Sequence, residues 1–202
     1  MSKRIIYIGI TGKARSGKDT LASHLHSTAK EYDYGYERIS FAEPLYAIAR
    51  IFGFDTISKT AKTDFHPVWN MTLRTFLQVV GTDLFRDCFD KDVWIKLAKM
   101  KIDSLIEAHT ENVVVFAFPD LRFDNEAKLV RDLSGVVVKI ERPESPLALS
   151  GTESQHQSES GVDPKLIDIT FINKENNNGA MLEFAKKLIN MERTDEDKQK
   201  AF

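Results

Sequence analysis

The sequence is poor in the residues that cross-link, anchor or strongly charge a chain. One cysteine, Cys88, among 202 residues excludes an internal disulfide and a cysteine-built zinc site, and it fits a reducing cytoplasm. Cys88 itself is expected to be a small buried apolar residue. No apolar run approaches the ~20 residues that cross a bilayer. The apolar stretch after Lys3 and Arg4 is also too short for a secretory signal. A net charge of −2 without clustered Lys or Arg argues against a nucleic acid polymer or a membrane as partner. Internal repeats are absent too. What is present, 42% hydrophobic and 29% charged residues, suits a soluble globular chain with a full core. We expect one domain over residues 1–191, then a charged, frayed tail over 192–202.

The most informative stretch is Gly12-Lys13-Ala14-Arg15-Ser16-Gly17-Lys18-Asp19-Thr20. It follows the apolar run Ile5 to Ile10 and precedes a helical pattern from Leu21. Two glycines five positions apart, then a lysine, between a strand and a helix, make a phosphate-binding loop. The glycines let the backbone turn its N–H groups toward an anion. The helix N-terminus adds partial positive charge, and Lys18 reaches the outer phosphates. The usual motif has Ser or Thr directly after the lysine to ligate Mg²⁺; here Asp19 stands there and Thr20 follows. A plain glycine-rich turn capped by Asp19 would leave Lys18 at this spacing, and Arg15 inside the loop, unexplained.

Strand and helix patterns alternate along the chain. Strands are expected over 4–11, 38–41, 112–118, 136–140 and 167–172. Helices are expected over 18–30, 43–52, 123–133 (stopped by Gly135) and 180–191. Thr72 caps another through Arg86, with Leu73, Phe76, Leu77, Val80 and Leu84 on one face, and Asp90 caps one to about His109. The uninterrupted apolar run Val113 to Phe118 reads as a central parallel strand buried on both faces. Residues 53–70 are irregular and could cover a site. Residues 143–165 lack periodicity. The fold class is therefore α/β, a three-layer αβα arrangement around a five-stranded parallel sheet. Ligands bind such sheets at the strands' C-terminal ends. There the sequence places the loop, Phe41-Ala42-Glu43, Pro119-Asp120-Leu121-Arg122 and Arg142.

A GTPase is not indicated. Asp132-Leu133-Ser134-Gly135 lies before a strand, and Asn173-Lys174-Glu175-Asn176 lacks the final Asp that pairs with guanine, so Asn173 could meet a nucleotide without selecting guanine. The strand ending Phe118-Pro119-Asp120 lacks the adjacent acid of mechanical ATPases. A small-molecule phosphotransferase needs a second anion site, for which planar arginine forks are suited. Arg74, Arg86 and Arg122 are the candidates.

These segments resemble the phage-type deoxynucleoside monophosphate kinases, within the P-loop nucleoside monophosphate kinases. The resemblance rests on Gly12 to Thr20 and, in order, Ser40 to Leu45, Leu73 to Gln78 with Gly81-Thr82-Asp83 and Arg86, Trp94-Ile95, Asp120 to Glu126, Ile140 to Pro143, and His156 to Glu159. It spans about residues 5–190, and Asp19 becomes a shared trait. It implies transfer of the γ-phosphate of ATP to a deoxynucleoside 5′-monophosphate with Mg²⁺, and makes a homodimer and a viral source plausible. Gly12, Lys13, Ala14, Arg15, Ser16, Gly17, Lys18, Asp19, Thr20 and Asn173 would hold ATP. Asp19 and Thr20 would hold the metal. Phe41, Arg74, Gln78, Arg86, Trp94, Asp120 and Arg122 would hold the acceptor. Lys18, Arg15, Arg122 and Arg142 would neutralise charge in the transfer. Residues 53–70 would form an acceptor-side loop and 143–165 a lid, with His156 as a surface or lid-anchoring residue. A P-loop kinase of another acceptor, such as dephospho-coenzyme A, and a nucleotide-binding regulator without transfer activity are the alternatives.

Overall fold

The computed structural model describes residues 3–58, 60, 62–143, 161–174 and 178–191. Most of the expected lid, His156 and the tail 192–202 lie outside the described residues. The chain divides into two compact units, one of residues 1–39 and 102–202, the other of residues 40–101.

The first unit is built on five parallel strands: β1 (Arg4–Thr11), β2 (Gly35–Arg38), β5 (Val113–Phe118), β6 (Val136–Glu141) and β7 (Ile169–Ile172), in the order β2-β5-β1-β6-β7. β1 is central because it is apolar on both sides. Ile8 and Ile10 enter one cluster with Val115, Ala117, Val138 and Ile140, and with α1 (Lys18–Glu31) and α6 (Asn178–Asn190). The intervening positions serve the opposite face. Tyr7 stacks on Phe116 with ring centroids 5.5 Å apart, and a Cβ on Gly9 would meet Leu121, beyond β5, and Val130, on α5 (Asp124–Asp132). This period of two explains the uninterrupted apolar run of β5, whose buried side chains feed both faces. Phe116 and Phe118, fully buried, each contribute about 1.5–3 kcal/mol. The expected three-layer, five-stranded parallel architecture is the one observed.

Two expectations for this unit shift. β2 runs over Gly35–Arg38 rather than 38–41, in register with Val114 to Ala117 of β5. Gly35 looks like a breaker, but a Cβ there would stand 2.8 Å from the His109 ring, so glycine is what lets that ring lie against the strand. At the end of α5, Ser134 takes the left-handed conformation (φ 60°), not Gly135. Gly135 is needed for close approach, since a Cβ would lie 2.7 Å from the Tyr7 carbonyl oxygen.

The second unit holds α2 (Glu43–Ile51), a short hairpin of β3 (Phe65–His66) and β4 (Met71–Thr72), α3 (Leu73–Gln78) and a π-helical segment Val79–Phe89; α4 (Val93–Ala108) begins here. Its core gathers Ala49, Phe54, Leu73 and Phe76. Thr72 caps α3 as expected, its hydroxyl accepting from Thr75 N–H at 3.2 Å. The continuation to Arg86 is not α-helical. The wider π turn changes the phase, so Leu84 is 54% exposed and Cys88, expected inside, is exposed, while Gly81, Thr82 and Arg86 are buried.

Candidate active site

The turn after β1 curls as its glycines require. Gly12 has φ 142°, Gly17 has φ 113°, and Arg15 between them also sits at positive φ, 61°. A Cβ on Gly12 would lie 2.4 Å from the Ile140 carbonyl oxygen. Gly17 leads into α1 without a side-chain cap, and the first-turn acid is Asp19. An uncapped N-terminus leaves N–H groups for an external anion. Ser16 is buried at 3% exposure, and among the described residues its Oγ has no partner, a role that a phosphate oxygen would fill. Lys18 Nζ arches back over the loop and donates to the carbonyls of Gly12 (2.7 Å) and Lys13 (2.8 Å).

A cleft of about 200 Å³ lies over this turn, within the first unit. Arg15, Gly17, Lys18, Asp19 and Thr20 line it from the loop, Arg142 from the end of β6, Asn173 from the end of β7, and Asn178 and Met181 from α6. Among the described lining residues, Arg15, Lys18 and Arg142 outnumber the carboxylate of Asp19, and that positive balance favours an anion. Asn173 is 5% exposed, and its Nδ2 donates to the Ser16 carbonyl at 2.8 Å. Arg142 Nη1 reaches the Arg15 carbonyl at 3.5 Å.

Next to the loop, the turn after β5 is fastened to β1: Thr11 Oγ1 donates to the Leu121 carbonyl at 3.0 Å, and Leu121 N–H to the Ile10 carbonyl at 3.3 Å. This places Asp120 and Arg122 beside the entry to the phosphate loop. The buried Glu126 carboxylate fixes the backbone there by accepting from the N–H groups of Arg122 (2.7 Å) and Phe123 (3.1 Å). The other expected acceptor residues belong to the second unit. Phe41 and Trp94 are buried there. Trp94 donates its indole N–H to the Gly81 carbonyl at 3.0 Å and packs on Phe85. Arg86 is buried, while Arg74 and Gln78 are half-buried.

Sequence reasoning passed over Arg38, Asn178, Met181 and Glu126. Arg38 pairs with Asp19 at 2.5 Å, and misplacing β2 hid its position at that strand's end. Glu126 was legible in principle, since a glutamate in the first turn commonly turns back to the N–H groups that open a helix.

A model of the deoxynucleotide monophosphate kinase family matches residues 42–188. The chain belongs to the deoxynucleotide monophosphate kinase family. The match begins beyond the phosphate loop, so the loop's assignment stands on its own geometry. A mimivirus protein (Acanthamoeba polyphaga mimivirus) provisionally named a deoxynucleotide monophosphate kinase is 30% identical over 155 residues, covering 69% of the chain and 75% of the relative. The deoxynucleoside-5′-monophosphate kinase of Escherichia phage T5 is 25% identical over 151 residues, covering 71% of the chain and 56% of the relative. The crystal structure of TT1252 from Thermus thermophilus shares the fold, with a TM-score of 0.52 and 21% identity over 93% of this chain and 97% of that one. No helix among the described residues of this kinase is long and apolar enough to cross a membrane.

Proposed function

We propose that this kinase transfers the γ-phosphate of ATP to the 5′-phosphate of a deoxynucleoside monophosphate, giving the diphosphate and ADP. The observation that carries the reading is the uncapped, glycine-hinged loop with Lys18 at the head of α1, in a chain of this family. An acceptor phosphate oxygen forms the new bond to Pγ as the bond from Pγ to the β-phosphate bridging oxygen breaks. The acceptor is already anionic, so positioning and charge neutralisation supply the catalysis without a strong base. Loop amides from Ala14 to Lys18 hold the β-phosphate. Lys18 bridges the β- and γ-phosphates, and Arg15 and Arg142 add positive charge at the cleft.

The donor set suits Mg²⁺. Asp19 offers a largely exposed carboxylate and Thr20 a hydroxyl, and the described residues contain no cage of three or more metal-ligating side chains. That is the pattern for an ion shared with substrate phosphates. When bound, the ion neutralises charge on the triphosphate.

The residues proposed for the acceptor, Phe41, Arg74, Gln78, Arg86, Trp94, Asp120 and Arg122, are each tested by the effect of their substitution on KM for the monophosphate. The setting we propose is the cytoplasm of an infected host, with a homodimer checked by sedimentation. The deciding experiment supplies ATP, magnesium and a panel of the four deoxynucleoside monophosphates, their ribose counterparts and dephospho-coenzyme A. Transfer to a deoxynucleoside monophosphate is expected, and Lys18→Ala should abolish it while the circular dichroism spectrum stays unchanged. Transfer only to a non-nucleotide, or ATP binding with no phosphorylated product, overturns the proposal.

A further inference from the structure

Asn173 sits at the end of β7, 157 residues away in sequence from the loop carbonyl it holds. Its backbone N–H donates to the Glu141 carbonyl at 2.7 Å, which fixes the residue to β6. Its side-chain amide is buried and donates to the Ser16 carbonyl at 2.8 Å. Gly17 leaves room for that amide, because a Cβ there would lie 2.7 Å from Nδ2 and 3.1 Å from Met181 Cε. The peptide joining Ser16 to Gly17 is planar and trans, so its C=O and N–H point in opposite directions. A donor holding the Ser16 carbonyl on one side therefore aims the Gly17 N–H to the other. Among the described residues, no acceptor takes the Gly17 N–H.

We infer that Asn173 is a positioning residue that sets the Ser16–Gly17 peptide so that the Gly17 N–H faces the phosphate cradle, rather than a residue that reads the nucleotide base. A peptide free to flip would present a carbonyl oxygen to the triphosphate in place of a donor, an exchange of attraction for repulsion. The inference rests on the loop's being the triphosphate site and not on the identity of the acceptor.

The test uses inorganic tripolyphosphate, which has the phosphates but no base, alongside ATP. Affinities for both are measured by calorimetry with the full chain and with Asn173→Ala and Asn173→Asp, the latter isosteric but unable to donate. Both variants should lose about tenfold in affinity, the worth of one hydrogen bond near a charge. The factor should be equal for tripolyphosphate and ATP, and Asp should be the worse of the two. Unchanged tripolyphosphate affinity, or a loss confined to ATP, overturns the inference in favour of a base contact. A second measurement needs no variant. In wild-type protein carrying ¹⁵N-glycine, tripolyphosphate should shift the Gly17 amide resonance strongly downfield, and an unmoved Gly17 amide overturns the inference as well. These readouts involve no acceptor, so an acceptor panel without product would sink the proposed activity and leave this inference standing.

Discussion

Replacing Gly12 by alanine tests the loop's architecture most directly. Two separate penalties meet at this position. The backbone at φ 142° is one that L side chains rarely adopt, and holding a residue in a sparsely populated region costs about 1–3 kcal/mol. The added Cβ would also stand 2.4 Å from the Ile140 carbonyl oxygen, where ordinary contacts begin at 3.4 Å. That oxygen is backbone of β6 and cannot rotate aside, so strand and loop must separate by about 1 Å. Overpacking of this kind costs roughly 1–3 kcal/mol. The two sum to roughly 2–6 kcal/mol, divided between global stability and displacement of the loop. Gly161→Ala is the internal control. Gly161 has φ 80° but no described residue within 4 Å of its would-be Cβ, so among these contacts it carries the conformational penalty alone, about 1–2 kcal/mol. Urea unfolding of wild type, Gly12→Ala and Gly161→Ala, with ATP titrations of each, separates the terms. Gly12→Ala should be the less stable variant and should lose at least about tenfold in ATP affinity; a loss of only 1.4 kcal/mol of binding gives that factor. If Gly12→Ala unfolds no earlier than Gly161→Ala and binds ATP like wild type, the loop is not packed against β6 as described.

Arg38 and Asp19 form an exposed ion pair, so their coupling in a double-mutant cycle on urea stability should be under about 1 kcal/mol; a larger value would mean a pair too strong for Asp19 to leave for Mg²⁺. Asp90 accepts from Lys96 and from the Asp92 N–H, and these bonds, the lysine first, hold its carboxyl below the ordinary range. Its folded value is lowered, so its stabilisation is complete above the unfolded value near 4 and is lost as the pH falls through the folded value. Asp90→Asn should flatten that acid limb of a stability–pH profile, and an unchanged limb would refute the pairing. Trp94→Phe leaves the buried Gly81 carbonyl without its indole donor, so thermal unfolding should fall by the equivalent of about 1–3 kcal/mol. A variant as stable as wild type would mean that the indole is not held in the core.

The features legible in the sequence were those set by neighbours along the chain. β1 spans Arg4–Thr11 as its apolar run indicates, Thr72 caps α3, and the loop from Gly12 to Thr20 turns where its glycines stand. What the sequence could not reveal was decided by partners far away. The ends of β2 follow from its register with β5 and from the His109 ring, neither of which is visible in Gly35-Tyr36-Glu37-Arg38 itself. The segment after Gln78 has an apolar pattern that suits an α-helix. Its π turn rotates Leu84 and Cys88 outward and brings Thr82 and Arg86 inward, a choice of hydrogen-bond ring that side-chain periodicity does not report.

The sequence by itself singled out the candidate anion-binding turn, because a phosphate loop is a local object: two glycines, a lysine and the start of a helix within nine residues. Only the tertiary structure decided which distant groups hold that loop in shape. Asn173 on the Ser16 carbonyl, the Ile140 carbonyl beside Gly12 and Arg38 on Asp19 come together through the parallel sheet. Its strand order sets β6 beside β1 and β7 beside β6, although each is far from the loop along the chain.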